Sequence, residues 1–392
     1  MKAGPVPIAV RAFAVRAQQA GRRLKQAEDT GWPRFVLVLD TETTTDPTQR
    51  LLFGTYRFAE WAEVGALATR EEGLFYADDL PVSNPSACSC LRDYAQTHEA
   101  AVAEEVPRKL KLWSGSEFVE QVLWRAYQAR ALVVGFNLPF DLSRLAVDYG
   151  AARGTQRGGF SFVLWEWLDR RTGRARPHPY RPRITIQHVD SKRAFIRFTR
   201  PAKGDDDGGR PAFMGRFLDL RTLSFALSGT PHSLESAGEV FGVAHPKSKP
   251  AQHGHVTPEY IDYNRSDVRA SQELLEALRA EFDHHPISMD PCRAYSPASV
   301  AKAYLRAMGV RPMGPDLRGV PLDHVGFATS AFYGGRAEAR IRRTPVPVVL
   351  TDFTSMYPTV CALMGFWPFL TASVEGRDNS RVRGHRLLRT SR

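Results

Sequence analysis

Cysteine is scarce, with Cys88, Cys90, Cys292 and Cys361 the only four in 392 residues. Four thiols at these spacings give neither a disulfide framework nor a Cys-based zinc site, and they suit a reducing compartment. Long apolar runs are also lacking. No stretch of 18 apolar residues occurs, and residues 1–30 have their apolar positions broken by Arg and Lys, with no small-residue cleavage site. No membrane span and no secretion signal are therefore expected, and a cytoplasmic location is. Lysine is rare too: 9 of the 53 basic residues are Lys. Such Arg dominance follows from a GC-rich coding bias as readily as from phosphate binding.

What the chain does have is enough apolar residue, 43%, for two or three domains with real cores. Its net charge of +11 is unevenly spread. Residues 1–34 carry +5 and residues 377–392 another +5, which leaves +1 for residues 35–376. A basic surface for a polyanion is thus expected at the two ends.

Phe35 to Glu42 (FVLVLDTE) is apolar and β-branched, the pattern of a buried strand, with partner strands expected at Leu51–Trp61 and Thr69–Tyr76. Ser114 and Glu117 form a capping box that opens an amphipathic helix through about Gln128, followed by a buried strand, Ala131–Phe136. A short helix is expected at Asp141–Tyr149, closed by Gly150, then a hairpin over Arg183–Thr199 and a strand at Met214–Leu220. Helices are expected at Ser233–Phe241 and, from Thr257 with Pro258 in the first turn, to about Phe282. Ser299–Met308 reads as helix and Val346–Thr351 as a strand leading into Asp352. This mixture of strands and helices means an α/β class.

Asp40 and Glu42 lie two apart at the end of an apolar strand, so both carboxylates share one face. Two adjacent anions repel unless a cation sits between them. Asn137-Leu-Pro-Phe140-Asp141 sets another carboxylate at a strand-to-helix junction, where it could also be an ordinary helix cap. Tyr263 and Asp267 are spaced i, i+4 on the long helix, and Asp219 at the end of another apolar strand is a reserve candidate. Asp40, Glu42, Asp141 and Asp267 together offer the hard oxygen ligands that select Mg²⁺ or Mn²⁺. Two such ions can activate water and stabilise the leaving oxygen of a phosphodiester.

Asp-x-Glu, then Asn-x-x-Phe-Asp, then Tyr-x-x-x-Asp, in this order, resembles the three exonuclease motifs of the DEDD superfamily, in the Tyr-containing form of proofreading DNA polymerases. The resemblance implies an RNase H-like fold, a mixed sheet with flanking helices, over residues 34–283. It implies a 3′–5′ exonuclease holding two Mg²⁺ or Mn²⁺ ions, with Asp40 bridging both, Glu42 and Asp267 on the tighter one and Asp141 on the looser. Tyr263 would orient the attacking water, and Asn137 and Phe140 would contact a single-stranded DNA 3′ end.

Asp352-Phe-Thr-Ser-Met-Tyr357-Pro-Thr resembles the first palm motif of family B DNA polymerases, departing mildly at Met356 and Thr359. By that resemblance Asp352 and the Phe353 carbonyl would hold metal, and Tyr357 would stack under the incoming sugar. Tyr333-Gly334-Gly335-Arg336 is similar to the element joining the exonuclease and polymerase parts of that family. Its glycines admit close approach of DNA phosphate, and Arg336 can pair with it. After Asp352 the only acids are Glu375 and Asp378, and no Lys follows Lys302, so neither a second palm carboxylate group nor a triphosphate-binding Lys is present.

The expected organisation is a basic arm (1–33), an exonuclease domain (34–283), a connector (284–345) and an incomplete palm with an Arg-rich tail (346–392). The chain is thus expected to be the N-terminal part of a family B-like polymerase, split or truncated, of bacterial or mobile-element origin. It would act as a DNA exonuclease on primer-template ends. The alternatives are a working polymerase completed by a separate C-terminal chain, and a non-catalytic DNA-binding fragment.

Overall fold

Val36, Leu37, Val38 and Leu39 are all wholly buried, as in a central strand covered on both faces. They belong to a computed structural model that describes residues 31–62, 65–103, 107–190, 193–203, 213–245, 253–308, 341, 344–347, 349 and 356–363. The chain divides into two compact units, Asp29–Ala301 and a second made of Met1–Glu28 with Lys302–Arg392.

In the first unit the strands are, in chain order, β1 (Phe35–Thr43), β2 (Leu51–Trp61), β3 (Leu67–Tyr76), β4 (Glu99–Ala100), β5 (Arg108–Lys109), β6 (Lys111–Ser114) and β7 (Leu132–Gly135). There follow β8 (Asp148–Ala151), β9 (Phe160–Val163), β10 (Glu166–Asp169), β11 (Arg174–Pro177), β12 (Ile184–His188), β13 (Ala194–Phe198) and β14 (Arg216–Asp219). The helices are α1 (Leu80–Ser83), α2 (Pro85–Thr97), α3 (Gly115–Phe118), α4 (Trp124–Gln128), α5 (Leu138–Arg144), α6 (Leu220–Ser228), α7 (Leu234–Phe241), α8 (Pro258–Asp283) and α9 (Pro297–Ala307), the last running on into the second unit.

The main sheet has six strands in the order β14-β7-β1-β2-β3-β6. β2 runs antiparallel to β1 and β3, whereas β7 is parallel to β1, β14 to β7 and β6 to β3. One face carries Leu37 and Leu39 against Phe118 and Leu123 of the α3–α4 stretch and Leu138 and Leu142 of α5. The other carries Phe53 and Leu74 against Leu91 of α2 and Tyr260 and Ile261 of α8. A second sheet, β13-β12-β9-β8, adds Ile184, Ile186 and Phe198 to the first core. The fold is therefore mixed α/β, a mixed sheet with flanking helices. Among the described residues no helix is long and apolar enough to cross a membrane.

The capping box forms as expected: Ser114 Oγ accepts from the Glu117 amide (3.3 Å) and Glu117 accepts from the Ser114 amide (2.8 Å). The helix it opens is interrupted by a π turn, Val119–Leu123, before α4. Residues 141–149 are not the single helix expected. α5 starts earlier, after Asn137 in the left-handed conformation (φ 71°) and with Pro139 in its first turn. Residues 148–151 pair instead with β9, because a cross-strand partner overrides local helix preference. In the second unit, Val346, Pro347 and Val349 lie outside regular structure. Pro347 has no amide donor for the strand expected at 346–351, and residues 348, 350 and 351 of it lie outside the described residues. The helix Met356–Leu363 follows.

The β10–β11 ribbon was not legible from the net charge. Apart from Asp169 its residues are exposed, with Arg170, Arg171, Arg174 and Arg176 around its tip beside Trp167 and Leu168.

A buried ion cluster ties α8 to the far side of the sheet. Glu72 on β3 is 2% exposed and meets Arg57 of β2 at 3.3 Å and Arg265 of α8 at 3.1 Å. Arg265 also donates to Tyr94 Oη (2.9 Å) and to the Glu99 carbonyl (3.0 Å). Burial works against the charge on Glu72, but Arg57 and Arg265 outweigh it and hold the carboxyl below its ordinary range. Glu72→Gln leaves two guanidinium groups facing a neutral amide. It should cost about 3–5 kcal/mol in urea unfolding, the range for breaking a buried pair. A loss below 1 kcal/mol, the scale of an exposed pair, would show the cluster to be water-accessible.

Candidate active site

Alternation along β1 sends Leu37, Leu39 and Thr41 to the α5 side and Asp40 and Glu42 to the α8 side. α8 is started by Thr257, whose hydroxyl accepts from the Tyr260 amide (3.2 Å), with Pro258 in the first turn. Its buried stripe is unusual in being polar: Tyr260, Tyr263, Asn264, Asp267 and Ser271 fall at helical spacing and are all buried. Asn264 Nδ2 donates to Asp40 Oδ2 (2.5 Å) and to Glu42 Oε1 (3.2 Å), so one amide nitrogen serves both carboxylates. Tyr260 donates its hydroxyl to Glu42 Oε2. Burial, then the negative charge of Glu42, push the Tyr260 phenol above its ordinary value. The Tyr263 ring stacks on Tyr260 at 6.0 Å and 16°, and the His253 ring stands edge-on to both.

Asp141 reaches β1 from the opposite face. It does not cap α5 but sits in its first turn, where Oδ1 accepts from the Thr41 amide (3.1 Å) and the Thr41 hydroxyl (2.7 Å). Gly135 stands close beside it: a Cβ there would lie 3.1 Å from Leu138 Cδ1 and 3.2 Å from the Leu39 carbonyl oxygen. Burial pushes the Asp141 carboxyl up to about 8, against the two Thr41 hydrogen bonds and with help from the charge of Asp219. Asp219 ends β14 opposite Gly135, and its Oδ1 accepts from the amides of Asn137 (3.1 Å) and Arg221 (2.9 Å). Burial raises Asp219 to about 6, with these amide bonds opposing.

Of the residues singled out by sequence, Asp40 and Glu42 are brought together on one donor, and Tyr263 and Asp267 share the helix that supplies it. Asp141 is adjacent to Asp219 across the sheet edge. Among the described residues, no group of three or more His, Cys, Asp or Glu stands in metal-holding geometry. Asn137 is exposed beside Asp141, and Phe140 is half-buried with the Arg144 guanidinium 4.8 Å over its ring. Tyr357 is exposed on its helix. Asp352, Phe353, Tyr333, Gly334, Gly335 and Arg336 lie outside the described residues. Sequence reasoning missed Thr41, Tyr260 and Asn264. Asn264 alone had a signal, in that three polar groups, Asn264, Asp267 and Ser271, interrupt the apolar stripe that a core helix needs. No protein-family model matches the chain, and no curated protein matches it.

Asp141 and Asp219 both bind protons more readily folded than unfolded, where a carboxyl titrates near about 4. Their stabilising contribution is complete below that pH and is lost as pH rises through about 6 for Asp219 and about 8 for Asp141. In chelator, the part of the unfolding free energy owed to these groups should fall across this window. Asp219→Asn should remove the lower part of the fall, read as urea midpoints against pH. An identical pH profile for Asp219→Asn would mean that its burial does not govern its proton.

Proposed function

We propose that the chain is a metal-dependent 3′–5′ DNA exonuclease of the DEDD type with an RNase H-like core, forming the N-terminal part of a family B-like DNA polymerase. The observation that carries this reading is where the acids stand. Three adjacent parallel strands, β1, β7 and β14, lead at their C-terminal ends to Asp40 and Glu42, to Asp141 and to Asp219, and α8 adds Asp267. Ligands of open α/β sheets bind at that edge. The mixed sheet with flanking helices supports the same reading.

The donor set fits a hard cation. Asp40 and Glu42 offer carboxylate oxygens that already converge on one hydrogen-bond donor, and oxygen-only donors are what Mg²⁺ or Mn²⁺ requires. Asp40, Glu42 and Asp267 would hold one ion, and Asp40 with Asp141 a second. The chemistry supplied there would be Lewis-acid activation of water and neutralisation of the phosphodiester. The protein's own share is positioning. Tyr263 orients the attacking water, Tyr260 fixes Glu42 by hydrogen bond, and Asn137 and Phe140 meet the DNA end beside Asp141. The polymerase assignment stands on the motif at Asp352 and Tyr357 and on Tyr333–Arg336.

Purified protein should degrade 3′-single-stranded DNA with Mg²⁺ or Mn²⁺, and Asp40→Ala, Asp141→Ala and Asp267→Ala should each remove most activity. Tyr263→Phe should slow cleavage by about 10²-fold at unchanged metal affinity. Nuclease activity that persists in Asp40→Ala, or that needs no divalent ion, would end this reading.

The Arg ribbon is the described surface best suited to the DNA backbone. Replacing Arg170, Arg171 and Arg174 by Gln should flatten log K against log salt by about 0.7 for each phosphate of a single strand that the ribbon no longer neutralises. An unchanged slope would assign the backbone binding elsewhere.

A further inference from the structure

Asn264 is wholly buried, and its side chain stands against the only two carboxylates on β1. Its main chain is held too, since the Thr55 hydroxyl donates to the Asn264 carbonyl (3.2 Å) from the neighbouring strand. Nδ2 faces Asp40 and Glu42, while Oδ1 is buried with no hydrogen-bond partner among the described residues. A buried carbonyl without a donor is a cost that native structures rarely retain without a reason. The opposite orientation would press Oδ1 against two anions. Without a cation, therefore, the amide must present its donor end.

We propose that Asn264 is a reversible stand-in for the divalent cation: its amide turns over when Mg²⁺ or Mn²⁺ enters between Asp40 and Glu42, and Oδ1 then becomes a further oxygen ligand. This inference rests on the metal-dependent reading above. An amide carries a donor and an acceptor of nearly equal size on one planar group, and the terminal torsion of Asn is broad and roughly two-fold. The turn therefore moves no backbone. In the observed orientation Oδ1 is left unbonded on the far side, and the side facing the carboxylates decides which orientation is occupied. Other residue types serve only one state. A further carboxylate at this position would need the cation to be tolerated beside Asp40 and Glu42. An aliphatic side chain would remove the amide donor from both carboxylates in the empty site, leaving Glu42 the Tyr260 hydroxyl, and would remove one oxygen from the filled one.

The test compares the full-length chain with Asn264→Leu and Asn264→Asp by Mn²⁺ titration calorimetry and by thermal unfolding in chelator and in Mn²⁺. Asn264→Leu should bind Mn²⁺ about 10-fold more weakly or worse, the scale seen when a supporting group of a metal site is removed. Asn264→Asp should melt lower than wild type in chelator and gain more from Mn²⁺ than wild type does. In the wild type, the Asn264 side-chain ¹⁵N resonance should move on Mg²⁺ addition as its bonds to the carboxylates break, a readout independent of whether either variant folds. An unmoved resonance at saturating Mg²⁺, or Asn264→Leu binding Mn²⁺ as tightly as wild type, overturns the inference alone. Wild-type protein that binds neither ion overturns it together with the metal-dependent reading.

Discussion

Two carboxylates two residues apart at the end of a strand buried on both faces impose a condition on everything around them. Both are half-buried, so water screens their mutual repulsion less than on an open surface, and donor groups brought to them relieve it. In this chain α8 brings them. Tyr260 and Asn264, one turn apart, both reach Glu42, and Asn264 also reaches Asp40. That arrangement fixes how α8 lies along β1, with its first turns at Glu42 and its last turn at the strand's beginning, where Trp32 donates to Asp283 (2.9 Å). The ion cluster of Glu72 with Arg57 and Arg265 holds the same helix over β2 and β3 one residue beyond Asn264, and Gln272 and Glu276 reach Thr69 and Leu67 farther along. The helix is thus anchored by polar groups along its length, which restricts sliding more than an apolar stripe would.

The acid-rich edge is maintained against a cost. Asp141 and Asp219 are each held in surroundings that favour the neutral carboxyl, and each is partly compensated by hydrogen bonds from Thr41 or from the amides of Asn137 and Arg221. Structural acids at helix starts are normally solvated and ionised. Acids gathered at a sheet edge with raised proton affinity are the arrangement expected where charge must be met by a ligand.

β1 was legible in the sequence because its signal is local: an apolar run ended by Asp40 and Glu42 at period two. α8 was legible from Thr257 and Pro258. β7 and the capping box at Ser114 followed from the same local chemistry. What escaped depends on pairings between distant residues. Thr41 holds Asp141 across 100 positions, and nothing in the local sequence around either marks the pair. Asn264 sits between the Tyr263 and Asp267 of the spaced motif and matches no motif itself, although an Asn on the buried face of a core helix is a demand for a partner. The ribbon's arginines disappeared in a net charge of +1, since a sum over 342 positions cannot show that the basic residues of one hairpin are exposed together.

Register makes the edge a single object. Asp219 pairs in height with Gly135, and Val134 with both Val38 and Leu218, so the ends of β14, β7 and β1 are fixed relative to one another by the ladder. Because side chains alternate, a one-residue slip of β1 against its neighbours would send Asp40 and Glu42 into the apolar core with Leu138 and Leu142 and turn Thr41 toward α8. Val36 to Leu39 would be apolar on either face after such a slip, so the cost of burying Asp40 and Glu42 without their α8 donors is what forbids it. The ladder of β1 with β2 and β7 therefore sets the height of the carboxylates, and α8 meets them there with donors. Tyr260 and Asn264 answer the placement of Asp40 and Glu42, and the switch at the end of β1 from residues apolar on both faces to carboxylates on one face holds that placement in register.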